Sequence, residues 1–216
     1  MPNTNTRPGA LPARVLVAQL SQESNCFNPI VTDRFADLKV AVPVTDPWAV
    51  EAATKAGIGG SVSLDIGARY TADLFQPFPF TGEVRQLSEG CFRFKGPMLA
   101  GQTARQGRTA VLQSGNLTVV TTARPARTQD TNFYESLGLT IADFDAVIVK
   151  SGNHFQLSYA GIATPIKAET PGVGIYRANR MPPVRRAPVF PEKGAPAFAP
   201  SSQETPTLQD LHDTRR

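Results

Sequence analysis

Residues 145–161 read Asp-Ala-Val-Ile-Val-Lys-Ser-Gly-Asn-His-Phe-Gln-Leu-Ser-Tyr-Ala-Gly, and they restrict the fold more than any other stretch. Ala146 to Val149 is a short apolar run rich in β-branched residues, which reads as a buried strand. Lys150-Ser151-Gly152-Asn153 interrupts it with turn residues, and from His154 onward Phe155, Tyr159 and Ile162 fall at helical spacing. A strand that passes through a polar turn straight into a helix is an α/β element. The turn collects a lysine, a serine, an asparagine and the only histidine away from the C-terminus. Backbone N–H groups at a helix start lack an intrahelical acceptor and favour an anion or an oxyanion. Lys150, Ser151, Asn153 and His154 are therefore candidate anion-binding or cleft-lining residues. The plainer alternative is that Ser151 or Asn153 caps the helix and His154 is a satisfied junction residue.

A chain of 216 residues, 41% hydrophobic with 12 phenylalanines, is long enough for one real core. Cys26 and Cys91 lie far apart without a C-x-x-C pair, which predicts reduced thiols in a cytoplasmic protein rather than a disulfide framework. No apolar run approaches the roughly 20 residues of a membrane span. The opening Met-Pro-Asn-Thr-Asn-Thr-Arg-Pro has no signal-peptide core, since Val15 to Leu20 is too short. Of the net charge of +4, residues 177–216 carry +3, from seven cations against four acids, which leaves +1 for the remainder. That basic tail is proline-rich and has no aromatic interleaving suited to stacking on bases, so nucleic acid is not the expected partner.

In chain order, residues 1–13 are polar and proline-punctuated and are expected to be disordered. Arg14 to Leu20 is an apolar strand of the fully buried type, followed by a polar loop through Pro29. Lys39 to Val44 is a second strand. Asp46-Pro47 then opens a helix, with Asp46 as cap and Pro47 at the first helical position, where its missing N–H costs nothing. Ala49, Val50 and Ala53 share the helix's inner face, and Gly57 ends it in the left-handed region. Gly57-Ile58-Gly59-Gly60 closes a helix and opens a strand, the reverse of a phosphate-binding loop, so these glycines read as structural.

Ser61 to Ile66 alternates as half-buried β. Gln76-Pro-Phe-Pro-Phe80 is not expected to continue a central strand, because proline lacks the ladder donor. Strands follow at 81–87, 91–94, 109–113 and 117–121, with Ser114-Gly115-Asn116 as a hairpin turn and a longer loop from Gly96 to Gly107. Asp130 or Asn132 caps a short helix that carries Phe133, Tyr134 and Leu137 and stops at Gly138. A last strand lies near Pro165 to Glu169. Residues 179–216 hold seven of the 19 prolines and read as an extended, disordered tail. The expectation is an α/β body over about residues 39–170: a mixed sheet with a few short helices and a β-rich middle.

Six motifs occur in one order: Asp46-Pro47-x-Ala49-Val50, Gly57-x-Gly59-Gly60-Ser-Val-Ser-Leu-Asp65-Ile-Gly67, Phe92-Arg-Phe-Lys-Gly96-Pro97-Met98, Gly107-Arg108-Thr-Ala-Val111, Phe133-x-x-x-Leu137-Gly138 and Val149-Lys150-Ser151-x-x-His154-Phe155. As an ordered set they resemble the C-terminal domain of the microcystin-degradation protein C (MlrC) metallopeptidases, over about residues 40–191. Arg185-Arg186-x-Pro188-Val-Phe-Pro191 is similar to that domain's closing segment. Upstream, Arg14-Val-Leu-Val-Ala and Gln22-Glu23-Ser24-Asn25-x-Phe27-x-Pro29 resemble the opening strand and His-Glu-Thr-Asn-x-Phe loop of the family's N-terminal domain. Gln22 stands for the His and Ser24 for the Thr.

The resemblance divides the chain into a disordered start (1–13), a remnant of the N-terminal domain (14–38), the C-terminal-like domain (39–178) and the basic tail (179–216). It implies that most of the N-terminal catalytic domain is absent, and with it the Asp-x-His and later His ligands by which the family is taken to hold zinc. The strand at Arg14 would then lack the parallel neighbours it has in the family. Its expected place is a sheet edge or a loosely held position.

A catalytic zinc site needs about three protein ligands around an open position. The chain has two histidines, His154 and His212. Asp210-Leu211-His212 spells Asp-x-His, but in a polar stretch near the end without support for a fixed geometry. There is no H-E-x-x-H and no G-x-S-x-G, so neither a metal ligand set nor a cofactor is expected in the isolated chain, although the intact family uses zinc. Glu23 matches the family's acidic loop residue, which implies a general base or a substrate contact; without zinc to acidify water, a lone carboxylate contributes little.

Two readings follow. In one, the chain is a truncated member of a family whose intact members hydrolyse linearised microcystin-like peptides, inactive alone, with a catalytic domain or a second copy as partner. In the other, it is a non-catalytic binding or assembly module whose Lys150–His154 turn holds an anionic ligand or a partner domain. Neither calls for nucleic acid or a membrane.

Overall fold

The computed structural model describes residues 37–68 and 76–166 and the backbone of 14–18 and 167–168. The expectations for residues 1–13 and for the tail fall outside the described residues, as do Glu23, Cys26, Asp210 and His212. The elements are β1 (Arg14–Ala18), β2 (Val40–Thr45), α1 (Pro47–Ala56), β3 (Ser61–Ile66), β4 (Phe78–Ser88), β5 (Cys91–Arg93) and β6 (Thr103–Arg105). They continue with β7 (Thr109–Ser114), β8 (Leu117–Thr122), α2 (Asn132–Glu135), a 3-10 turn (Ile141–Asp143), β9 (Ala146–Val149), α3 (Phe155–Tyr159) and β10 (Thr164–Ala168). One eight-stranded sheet has the order β10-β1-β9-β2-β8-β7-β4-β3, and β5 pairs with β6 apart from it. The first five strands in that order are parallel and the remaining three continue antiparallel. The sheet is mixed, as expected.

The parallel half follows from the apolar runs. Val147, Ile148 and Val149 are fully buried, and their side chains alternate between two cores, as a period of two requires. Val147 and Val149 join Ala41, Val120, Phe92, Phe133, Tyr134, Phe155 and Tyr159 on one face. Ile148 joins Val40, Val42, Val119, Leu112 and the inner residues of α1, Ala49 and Ala53, on the other. Each large apolar side chain so buried contributes about 2 kcal/mol relative to exposure. The hairpin β7–β8 turns at Gly115-Asn116, with positive φ at Gly115 (54°). That placement fits a turn with glycine at its first central position.

Asp46 organises the second core. Its Oδ1 accepts from Trp48 N and Ala49 N at 3.1 and 3.0 Å, as the expected cap of α1, and its Oδ2 accepts from Gly67 N at 2.9 Å. Gly67 follows β3, so the β3–β4 hairpin folds back across α1 and one carboxylate ties the helix start to the far end of that hairpin. Val62, Ile66 and Phe80 close over Ala49 and Ala53. Gly57 ends α1 with φ 75° and ψ 167°, a positive φ without the left-handed helical ψ.

Several expectations need correction. β1 does not take an edge: it lies between β9 and β10, parallel to both, because β10 supplies the second neighbour. The Gln76–Phe80 segment does enter a strand. β7 pairs with β4 only from Glu83 onward, so Pro79 faces β3 alone, and a residue without a donor is tolerated where one side carries no ladder. The Gly96–Gly107 loop contains β6, which was illegible because it is three residues long with one buried side chain.

A further proline, Pro43, sits inside the sheet. Val40 N donates to Asn116 O and Asp46 N to Thr122 O, so even-numbered residues of β2 face β8 and Pro43 turns its donorless nitrogen toward β9. The β2–β9 pairing stops at Ala41↔Val147.

The account of Asp46 predicts that Asp46→Ala lowers the unfolding free energy by about 3 kcal/mol, one cap plus a buried donor left unpaired. Asp46→Asn should lose less, and a loss under about 0.5 kcal/mol for the alanine variant in urea denaturation would contradict the assignment.

Candidate functional site

The Lys150–His154 turn leaves β9 at the carboxyl edge of the parallel strands. Val17 pairs in register with Val149, so β1 ends at the same level. On the other side β2 has parted from β9 after Ala41. From β2 the chain turns into α1, on the core that holds Ile148; from β9 it turns into α3, on the core that holds Val149. Adjacent parallel strands whose connections depart to opposite faces leave a crevice at their carboxyl ends, the usual ligand position in open α/β sheets.

The turn is held from beneath. Lys150 N donates to Thr128 Oγ1 at 2.9 Å, and Tyr159 Oη donates to Thr128 O at 3.0 Å, so one buried threonine fixes the end of β9 and the end of α3 together. Tyr134 Oη donates to Ile148 O at 2.6 Å. Asp130 accepts from Asn132 N at 2.9 Å through Oδ1 and from Lys95 N and Gly96 N at 3.1 and 2.7 Å through Oδ2. The loop so held presses on α3, where a Cβ on Gly96 would run into Ser158 Oγ and Asp130.

Lys150 and Ser151 are half-buried, and Asn153 and His154 are exposed. The structure brings all four onto one turn. His154 directly precedes α3 and makes no side-chain capping bond, and Asn153 O accepts from Gln156 N at 3.1 Å at the helix start. With five residues, α3 aligns few peptide dipoles, which limits what its N-terminus offers an anion. Ile162 is 45% exposed and does not extend the buried stripe of Phe155 and Tyr159, because the helix stops at Tyr159. Asp130 caps the start of α2, as expected: its Oδ1 accepts from Asn132 N at 2.9 Å and its carbonyl from Phe133 N at 3.1 Å, while Thr131 makes no side-chain capping bond.

Among the described residues, no group of three or more His, Cys, Asp or Glu side chains gathers as a metal ligand set. Asp46 and Asp130 direct their oxygens to backbone N–H groups, and Cys91 is exposed on β5 beside Arg105. The described residues do not fit a catalytic zinc site. No helix among them is long and apolar enough to cross a membrane.

The motifs at Phe92–Met98, Phe133–Gly138 and Val149–Phe155 meet on one face. The rings of Phe92 and Phe133 lie 6.3 Å apart, those of Phe133 and Tyr134 lie 4.8 Å apart edge-to-face, and Gly96 rests on Asp130. Residues 22–185 match the MlrC C-terminus family. The chain belongs to the MlrC C-terminus family. It is also similar to the crystal structure of a proposed metallopeptidase from Mesorhizobium sp. BNC1, with 32% identity and a TM-score of 0.75 over 83% of this chain and 38% of that one. The chain therefore spans less than two fifths of that protein's length. None of the curated proteins compared with it matches.

In this MlrC C-terminal domain, sequence reasoning found the turn but missed Thr128, which has no periodic or motif context to mark it. The two tyrosines that support the turn carry a measurable signature. Burial pushes the Tyr134 hydroxyl well above its usual range, with Tyr159 adding to the effect; burial, then Asp130 and Glu135, raise Tyr159. Both stay protonated in the fold, so their stabilisation is complete below about pH 10 and is lost as pH rises beyond it. Each should steepen the decline by up to about 1.4 kcal/mol per pH unit, and Tyr134→Phe should flatten it. Unfolding free energies equal at pH 9 and pH 11 would contradict this.

Proposed function

We propose that this chain acts as the C-terminal domain of an MlrC-like zinc metallopeptidase, lining one wall of a peptide-binding cleft while the metal and its ligands belong to a partner catalytic domain. The observation that carries this reading is the match to the MlrC C-terminus family, taken with a sequence that contains two histidines. The similarity to a proposed metallopeptidase of greater length supports it. The carboxyl-edge crevice supplies the wall. Lys150 and Ser151 line its floor, Asn153 and His154 its rim, and Thr128 with Tyr159 keeps the turn in place.

Cleft lining is preferred to anion capture by the turn alone, because α3 is too short to supply much of a dipole. Glu23, past the carboxyl end of β1, is the proposed substrate contact or base once zinc is supplied from the partner. The peptides cleaved by the whole assembly are proposed to be linear, microcystin-like ones, and the protein to work in the cytoplasm. The described residues hold no ligand set from which to generate hydroxide near neutral pH or to polarise a carbonyl.

Incubated with a linear peptide in the presence of added zinc, the purified chain should give no cleavage above background. Turnover that disappears in Glu23→Ala would contradict the reading.

A further inference from the structure

Residues 90–129 contain six cationic side chains, Arg93, Lys95, Arg105, Arg108, Arg124 and Arg127, and no Asp or Glu. The fold brings the backbones of three of them, Arg105, Arg108 and Arg124, together around Gly107. Ala123 N donates to Arg108 O and Arg124 N to Gln106 O, both at 2.9 Å. Arg124 Cγ lies 3.5 Å from the point a Cβ on Gly107 would occupy, and Gly107, with φ 70°, turns the chain between Arg105 and Arg108. Arg105, Arg108 and Arg124 are all exposed.

Little on the described surface balances this charge. Lys95 is paired with Glu135 at 2.8 Å, and Arg105 rests on Cys91 Sγ at 3.8 Å. Glu51 is bound to Lys55 at 2.8 Å, and Arg108 reaches it as the weaker influence. Exposed Glu89 is the other carboxylate close by, since Gly90 packs against Gly107. Like charges crowded at one turn repel unless a counter-charge is bound, and arginine's planar fork is matched to carboxylates.

We propose that the Arg105–Arg108–Arg124 cluster, at the start of β7 and the end of β8, docks an acidic polypeptide segment of a partner protein. A nucleic acid fits less well: Phe92 and Phe94, the aromatic residues of this stretch, are 5% and 6% exposed, so no exposed ring is interleaved among its cations, and the exposed Trp48 stands outside it at the start of α1. The proposal does not depend on the metallopeptidase reading, because Arg108 directly precedes β7 and Arg124 follows β8, strands that lie on the other side of β2 from the β9 strand that carries the Lys150–His154 turn.

The test is fluorescence anisotropy of a labelled hexaglutamate peptide titrated with the full chain at low salt. Arg108→Glu/Arg124→Glu should weaken binding at least about tenfold, while Arg85→Glu, at a residue paired with Glu83 outside the cluster, should stay within about twofold. Raising the salt to about 0.5 M should abolish binding, as screening requires. Thermal melts check that the variants fold, and Arg108→Gln/Arg124→Gln, expected to weaken binding about fivefold, replaces the reversal if that one unfolds. Absence of hexaglutamate binding, equal binding by the cluster variants, or tighter binding of a thymidine oligonucleotide would each overturn the proposal.

Discussion

The structure depends on one strand being buried on both faces. Val147 and Val149 face one core and Ile148 the other, with no solvent contact on either side. Apolar surface of this kind is stable only if both sides are covered. The cover comes from two separate stretches of the chain: α1 and the folded-back β3–β4 hairpin on one side, and the aromatic group around Phe133, Tyr134 and Phe155 on the other. Tyr134 is anchored to the strand itself through Ile148 O, which converts a packing contact into a directional one.

Because the two covers lie on opposite faces, the connections from β2 and β9 must depart in opposite directions. Pro43 widens the division by ending the β2–β9 ladder after its second residue pair. The crevice expected at the carboxyl edge is thus a consequence of how the core is layered, and Thr128 and Tyr159 help to fix the turn beside it. A turn held from below in this way is preorganised, which is what the proposed role of lining a cleft requires.

Legibility in the sequence tracked the range of the interactions. β2, α1 with its Asp46 cap, β3, the β7–β8 hairpin and the strand-turn-helix at Lys150 could be read because the forces that form them act within about ten residues. Asp46 was legible as a cap, whereas its bond to Gly67 was not, since nothing local signals a partner 21 residues away. β1 was misplaced for the same reason: its outer neighbour, β10, lies at the other end of the body. Pro79 misled because a proline's cost depends on which side of the strand is laddered, a property of the sheet and not of the residue. At the site, Lys150 to His154 stood out by residue type, while Thr128 and the second oxygen of Asp130 act across 22 and 34 residues and left no local trace.

The cleft-lining role proposed above rests on membership of the MlrC C-terminus family and on the layered fold. The proposal built on them is that the metal chemistry is supplied from outside this chain. Calorimetric titration of the metal-free full chain with zinc tests that most directly. The account predicts weak, non-stoichiometric heats at neutral pH; a saturable isotherm at one zinc per chain with submicromolar affinity would contradict it.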